Sequence, residues 1–563
     1  MENERRSFVS QTSLSKIPGS PIGYWLSSTF IDGWSKFQYL SNKLTTREGM
    51  ATADNDRFLR LWFEPGFTKI DLRYVESKEN SAAKWFPYNK GGDFRRWYGN
   101  IIYVVNWEND GYDIKNNIDE NTGRIRSHNY NGEYAFHEGL TWTALSSGLF
   151  AIRYSPAGFL WDSKGAMGFT DYKNECLSFL NSIVARQYLK VIAGTKDYKV
   201  GDIIMLPYNP QDQDRETFDL CNNNISISKQ DWDAHETSWD FAENELIRIC
   251  KSSGKRDIEA LISLYIQYWE NQLRQLHTNE EKLNRKFIEI FGLQDELLPD
   301  VPLKEISILQ EGEVDIDENS ITWNKDVIIK QLISYAIGCM MGRYRLDRPK
   351  IQIAHQNPTQ EEIAPYEYNG EMFTIDDDGI IPIVEEDGIF DDNALDRMNS
   401  FIGQVFGRDN IENANTMNNH LGNNVDLKKY LCTKFYADHL SMYSNLPIYW
   451  QFSSKVCAPP RSRSNGAFKA LVYIHRMTPF TLQVLHDKYL MHYISRLDGI
   501  IKNAEQDNSF NQREIDLLKA KLAECRAYEP ILKNLADQQI AIELDNGIAK
   551  NYELFQEVLS KRK

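Results

Sequence analysis

Nowhere in the 563 residues is there an uninterrupted apolar run of the roughly 18 residues that a membrane-spanning helix requires. Residues 1–15 include Glu2, Glu4, Arg5 and Arg6 without an apolar core, so neither a membrane span nor a secretory signal is expected. Cysteine is scarce. Cys176, Cys221, Cys250, Cys339, Cys432, Cys457 and Cys525 stand singly, with no C-x-x-C and no paired spacing, which argues against a disulfide framework or a zinc site and for a reducing, cytoplasmic setting.

The motifs of stand-alone enzymes are also missing: there is no P-loop, G-x-S-x-G, H-E-x-x-H or G-x-G-x-x-G. The pair His235-Glu236 continues as T-S-W and lacks a second ligand one helical turn on. An amino-methyltransferase needs an N/D/S-P-P-Y/F tetrapeptide, in which a polar side chain and a carbonyl hold the exocyclic amine while a ring stacks on the extruded base. Ala458-Pro459-Pro460-Arg461 lacks both the polar head and the ring, and Asn209-Pro210 and Asn357-Pro358 lack the second proline. Among 80 Asp and Glu residues, no spacing singles out a nuclease-like carboxylate pair.

What is present is uneven charge. The net charge of −16 argues against a nucleic-acid partner, because duplexes are held by cations that neutralise phosphates. Residues 1–200, however, carry 25 Lys and Arg against 22 Asp and Glu, whereas the remainder carries 39 against 58. An anionic partner is therefore expected at the first third, and protein contacts or plain solubility at the acidic remainder.

The pattern along the chain predicts an α+β protein in four consecutive segments. Residues 1–240, rich in aromatics, Gly, Asn and Thr, read as strand-heavy, with runs at 101–105 and 200–206 as strands. Residues 241–295 read as a helical spacer: Ile258, Ile262, Tyr265, Trp269 and Leu273 share one helical face, and a second helix is expected from the T-N-E-E box at Thr278 to a stop at Gly292. Residues 296–480 read as a mixed segment whose acidic stretch, 359–396, is expected to be a solvated loop. Residues 481–563 read as an antiparallel helical hairpin, with apolar faces at Leu490, Ile494, Leu497 and Ile501 and at Ile515, Leu518, Leu522 and Cys525, turning at 507–509.

Three clusters are candidates for nucleic-acid contact. Residues 84–98 interleave Trp85, Phe86, Tyr88, Phe94, Trp97 and Tyr98 with Lys84, Lys90, Arg95 and Arg96, around Gly91 and Gly92, which can take positive φ and bring amides close to a phosphate. Thr45, Arg47, Asn55 and Arg57 are side chains of the kinds that pair with phosphates and base edges. Arg153 and Tyr154 precede the turn S-P-A-G. Each cluster also has a purely structural reading, in which the aromatics are core and the cations a solvated rim.

The segments at 49–62 (G-M-A-T-A-D-N-D-R-F-L-R-L-W), 84–100 (K-W-F-P-Y-N-K-G-G-D-F-R-R-W-Y-G-N) and 139–142 (G-L-T-W) resemble the PglX family of BREX phage-exclusion adenine-specific DNA methyltransferases. Further matches follow in order at 153–160, 287–297, 335–347, 379–383, 446–454 and 542–552, so the likeness runs through nearly the whole chain. It implies the target-recognition and C-terminal helical part of such an enzyme, with S-adenosylmethionine and the catalytic tetrapeptide in a methyltransferase half absent here. On this reading the chain alone has no cofactor or catalytic residue and is inactive. Its expected partners are double-stranded DNA, a methyltransferase half or subunit, and other BREX defence proteins. The alternative is a scaffold fragment of a defence complex that binds no DNA.

Overall fold

The computed structural model describes residues 14–21, 23, 25–72, 83–146, 148–194, 196–209, 214–318, 320–408, 411–422, 424–460, 464–506 and 511–562. The fold is α+β. It condenses into two compact units, neither continuous in sequence. Met1–Arg60, Lys69–Asp233 and Gln267–Trp323 form one, and Leu61–Thr68, Ala234–Ile266 and Asn324–Lys563 the other. Residues 241–295, read above as one spacer, are therefore divided between the units after Ile266.

Besides the hairpin of Val314–Asp317 and Ser320–Trp323, the first unit's strands include β1 (Gln38–Tyr39), β2 (Thr45–Arg47), β3 (Leu59–Leu61, its last residue in the other unit), β4 (Trp85–Asn89), β5 (Tyr103–Asn106), β6 (Gly139–Trp142), β7 (Ile152–Ser155), β8 (Leu160–Trp161), β9 (Met167–Phe169) and β10 (Pro207–Tyr208). They form sheets of order β3-β5-β4-β8 and β2-β9-β6-β7, with β1 and β10 as a separate pair. β4 runs antiparallel to β5, with Phe86 opposite Val105, and parallel to β8, with Tyr88 opposite Leu160. Those residues bury together with Met50, Phe58, Trp107 and Ile114. All five residues of β4 are buried, which is why the W-F-P-Y-N run shows no polar alternation.

Gly49 marks where two backbones meet. A Cβ there would stand 2.0 Å from the carbonyl oxygen of Trp161, which accepts the neighbouring Met50 N–H at 2.9 Å. Gly49→Ala is expected to cost about 1–3 kcal/mol through forced displacement of that backbone, read as a lowered thermal midpoint. Gly201→Ala, in open space, serves as the comparison.

Two helical expectations change. The 258–291 region is one continuous helix, Ile258–Phe291, rather than two. Ile258, Ile262, Tyr265, Trp269 and Leu273 are buried as the spacing implies, and Gly292 ends the helix at φ +68°. No Gly or Pro interrupts the helix near Thr278, and the residues read as a cap make tertiary bonds instead. Asn279 donates to Asn223 and Asn224, and Glu280 accepts from Arg96 and Trp97. Residues 200–206, read as a strand, begin with the short helix Val200–Ile204, where the Asp202 carboxylate accepts the Lys199 N–H.

The second unit packs the helix Lys325–Met340 with a three-stranded antiparallel sheet of Ile380–Pro382, Lys469–Tyr473 and Tyr449–Ser453, in which Lys469–Tyr473 is central. The acidic stretch is not a solvated loop throughout. It contributes strands Tyr366–Tyr368, Glu371–Phe373 and Ile380–Pro382, and Asp376 is buried, accepting the Asp378, Gly379 and Ile380 N–H groups and the Arg397 guanidinium. Its carboxylates organise a turn, a use that composition cannot distinguish from solvation. The helices Met491–Gln506 and Gln512–Asp537 pack on each other as a pair, with Leu497 and Ile501 buried on the first and Ile515, Leu522 and Cys525 on the second. Their expected turn at 507–509 lies outside the described residues. All seven thiols are free, and among the described residues no helix is long and apolar enough to cross a membrane.

Candidate nucleic-acid interface

The 84–98 segment folds inward. Arg95 is 3% exposed and its Nη1 donates to the fully buried Asp231 at 2.9 Å, while the guanidinium lies over the Trp232 ring. Arg96 is 4% exposed and pairs with Glu280 and, at 3.0 Å, with Glu305, which also takes Arg186 at 2.7 Å. Trp97, buried, adopts φ +68° and is held there by its indole N–H on Glu280 at 2.7 Å and by backbone bonds to Ile152 and Tyr154. An energetically unfavoured conformation for a bulky side chain persists here because packing and hydrogen bonds over-determine it.

Arg153 stands beside Trp97 in an isolated bridge and is 2% exposed; its Nη1 donates to the Arg95 carbonyl at 3.3 Å. Burial, with a smaller contribution from Arg95, pulls its guanidinium down to about 10. Trp85 is buried in β4. Lys90 reaches Asp162 at 3.3 Å, an acceptor it shares with the Tyr88 hydroxyl at 3.1 Å. The cations at 95, 96 and 153 are therefore not a solvated rim. Together with Trp85 and Trp97 they belong to the interior, and the expectation that these five contact DNA is corrected. Once desolvated, a carboxylate such as Asp231 must be paired, and the arginines supply that pairing.

The other candidates, Gly91 excepted, lie at the surface or partly so. Gly91 and Gly92 do take positive φ, +85° and +143°, but only Gly92 is exposed; a Cβ on Gly91 would meet Thr143 at 3.2 Å. Lys84 is half-buried, with its ammonium 5.7 Å from the Trp85 ring centroid. Tyr154 is half-buried and donates to Glu138 at 2.8 Å, with Lys173 over its ring; burial and Glu138 raise its phenol well above the usual range.

Thr45 pairs with Phe169 in the β2–β9 ladder, and Arg47 donates to the Tyr134 hydroxyl at 3.1 Å. Asp54 caps the short helix Asn55–Phe58, and Asn55 accepts from Thr52 at 2.7 Å. Asn55 and Arg57 are exposed, with the Arg57 guanidinium over the Phe58 ring rather than in an ion pair.

The residues that the sequence pattern did not single out are Arg124, Arg126, His128 and Tyr130. All four are exposed. Among the described residues neither arginine makes an ion pair within bonding distance. The turn N-T-G between alternating residues at 118–121 and 124–128 was the available signal.

In the second unit a cleft of about 700 Å³ is lined by residues including Asp376, Asp377, Arg397, Lys488 and Tyr489. Carboxylate oxygens of Asp376, Asp377 and Asp378 lie within 4.8 Å of one another. Burial, then Asp378, pushes the Asp376 carboxyl above the ordinary range. Asp376 already accepts three amides and Arg397, and Lys488 takes Asp377 and Asp378, so protein donors already pair these carboxylates.

No protein-family model matches the chain. It is 37% identical over 564 residues, 96% of its length, to the adenine-specific methyltransferase PglX of Lacticaseibacillus casei (strain Zhang), and covers 45% of that relative. It is 32% identical over 580 residues, 98% of its length, to the adenine-specific methyltransferase BrxX of Escherichia coli O9:H4 (strain HS), again covering 45%. The chain thus spans less than half the length of the curated relatives it matches.

Proposed function

We propose that this chain, homologous from end to end to part of the BREX adenine-specific methyltransferases, supplies their DNA-reading function: it holds duplex DNA so that S-adenosylmethionine-dependent methylation of adenine N6 is directed to a chosen site. On this reading the cofactor and transfer chemistry come from sequence outside these residues, because no position here offers the tetrapeptide or the glycine-rich turn such chemistry needs. The observation that carries the reading is the division of cations in the first unit. Arg95, Arg96 and Arg153 are internal, whereas Arg57, Arg124 and Arg126 stand in solvent with no carboxylate in bonding distance among the described residues. Unpaired surface arginines attract phosphates at little desolvation cost. The acidic residues 201–563, with the C-terminal helix pair among them, are assigned to contacts with a methyltransferase half or with other defence proteins, in a cytoplasmic setting.

Fluorescence anisotropy with a mixed-sequence duplex tests this. Binding is expected at low salt, with the logarithm of the association constant falling linearly with log salt by about 0.9 per phosphate neutralised. Calorimetric titration with S-adenosylmethionine is expected to give no saturable heat. A chain that ignores duplex DNA even at low salt overturns the reading and favours the scaffold role.

A further inference from the structure

The backbone between residues 117 and 128 forms a hairpin. The Asp119 N–H donates to the Arg124 carbonyl and the Arg126 N–H to the Asn117 carbonyl, each at 2.8 Å, with Ile118 opposite Ile125 between them. Its turn is pre-set. The Asp119 carboxylate accepts the Asn121 and Thr122 N–H groups and the Thr122 hydroxyl; the Thr122 bonds chiefly hold it below the usual carboxylate range, and Gly123 takes φ +67°. The base is anchored. Asn117 and Ser127 are buried, bond each other at 2.9 Å and both donate to the Thr52 carbonyl, while the His128 N–H donates to the Ala51 carbonyl.

Beyond that base both faces meet solvent. Alternation puts Ile118 and Ile125 on one face, 53% and 54% exposed, and Arg124 and Arg126 on the other, with His128 stacked on Tyr130 at 5.4 Å further along. Asp119 shares the cationic face, but its carboxylate is turned into the turn's own amides. A two-stranded ribbon with two exposed isoleucines has no core of its own to justify them. Its width is what the DNA major groove admits; its arginines match phosphates or guanine edges, and its isoleucines match thymine methyl groups. A tied turn also means that little conformational entropy is lost when it docks.

We infer that the 117–128 hairpin is a DNA-contacting arm, with Arg124 and Arg126 as its principal contacts and duplex DNA as its ligand; this rests on the DNA-reading function proposed above. The test measures anisotropy of a mixed-sequence duplex against the full chain as a salt series, for the unaltered protein, Arg124→Ala/Arg126→Ala and Arg124→Gln/Arg126→Gln. Both double variants are expected to melt normally, because the replaced side chains are exposed and, among the described residues, make no ion pair within bonding distance; Arg126 has only a minor attraction to Asp119. Both are expected to bind at least tenfold more weakly in low salt, with a log–log slope shallower by about 0.9 for each phosphate no longer neutralised. If the alanine variant melts early, the glutamine variant, which keeps the stem and loses the charge, decides. Failure of the unaltered chain to bind any duplex overturns the DNA-reading function itself. Binding by the unaltered chain, with unchanged affinity and slope in a normally melting variant, overturns only the arm.

Discussion

Arg95→Ala is expected to lower the free energy of unfolding by about 3–5 kcal/mol, seen as a large fall in the urea midpoint followed by tryptophan fluorescence. The reason is the partner left behind. Asp231 has no solvent exposure and bonds Arg95 through one oxygen and the Leu309 N–H through the other, so removing the guanidinium strands a desolvated carboxylate. Arg96→Ala is expected to cost a similar amount, because Glu280 is buried and, among the described residues, would keep only the Trp97 N–H. Arg57→Ala, exposed and in no ion pair among the described residues, is expected to stay within about 0.5 kcal/mol of the unaltered protein. If Arg95→Ala lost under about 1 kcal/mol, Asp231 would have to be hydrated, and the internal assignment of this segment would fail. The same numbers show why a combined Lys90, Arg95 and Arg96 replacement makes a poor test of DNA contact: it would unfold the surface along with discharging it.

The second large effect is a pH dependence in the second unit. Glu236 is buried beside Arg343, with Tyr443 at 3.4 Å, and burial pushes its carboxyl up to about 7 despite Ser334 and Arg343, which act in the opposite direction. Because its folded value exceeds its unfolded value of 4.5, the folded state holds the extra proton. That contribution is complete below pH 4.5 and is lost as pH rises to about 7, at roughly 1.4 kcal/mol per unit. Glu236→Gln, which stays neutral, is therefore expected to gain about 3 kcal/mol relative to the unaltered protein between those limits.

His439 and His475 run the other way. Burial, then Arg343, lowers each to about 3, so their contribution is complete above the ordinary histidine value of 6.5 and is lost as pH falls toward 3. Comparing variant and unaltered protein cancels these and every other shared group. Urea midpoints taken at several pH values suffice; parallel profiles for the two proteins would show that Glu236 ionises normally in the fold.

Features legible in the sequence were local ones. The 3.6-residue recurrence of Ile258, Ile262, Tyr265, Trp269 and Leu273 identified a buried helical face, because periodic burial is written in neighbouring residues. Gly292 as a helix stop, the pairing of the C-terminal helices and the α+β class followed in the same way, each depending on contacts within a few turns. Composition could not say which cations face water. Arg95 and Arg57 look alike in a sequence, and their fates differ because Asp231 and Glu280 arrive from 136 and 184 residues away to neutralise Arg95 and Arg96, while among the described residues no carboxylate arrives at Arg57. The same holds for the T-N-E-E box, whose Asn279 and Glu280 bond distant side chains instead of starting a helix. It holds again for Asp376, whose carboxylate is a turn anchor inside an apparently solvated acidic run. Desolvation decides the role of a charge, and desolvation is a property of the packed chain. Folding alone could therefore separate the aromatic and cationic residues that build the interior from those, such as Arg57 and the hairpin's Arg124 and Arg126, that face solvent.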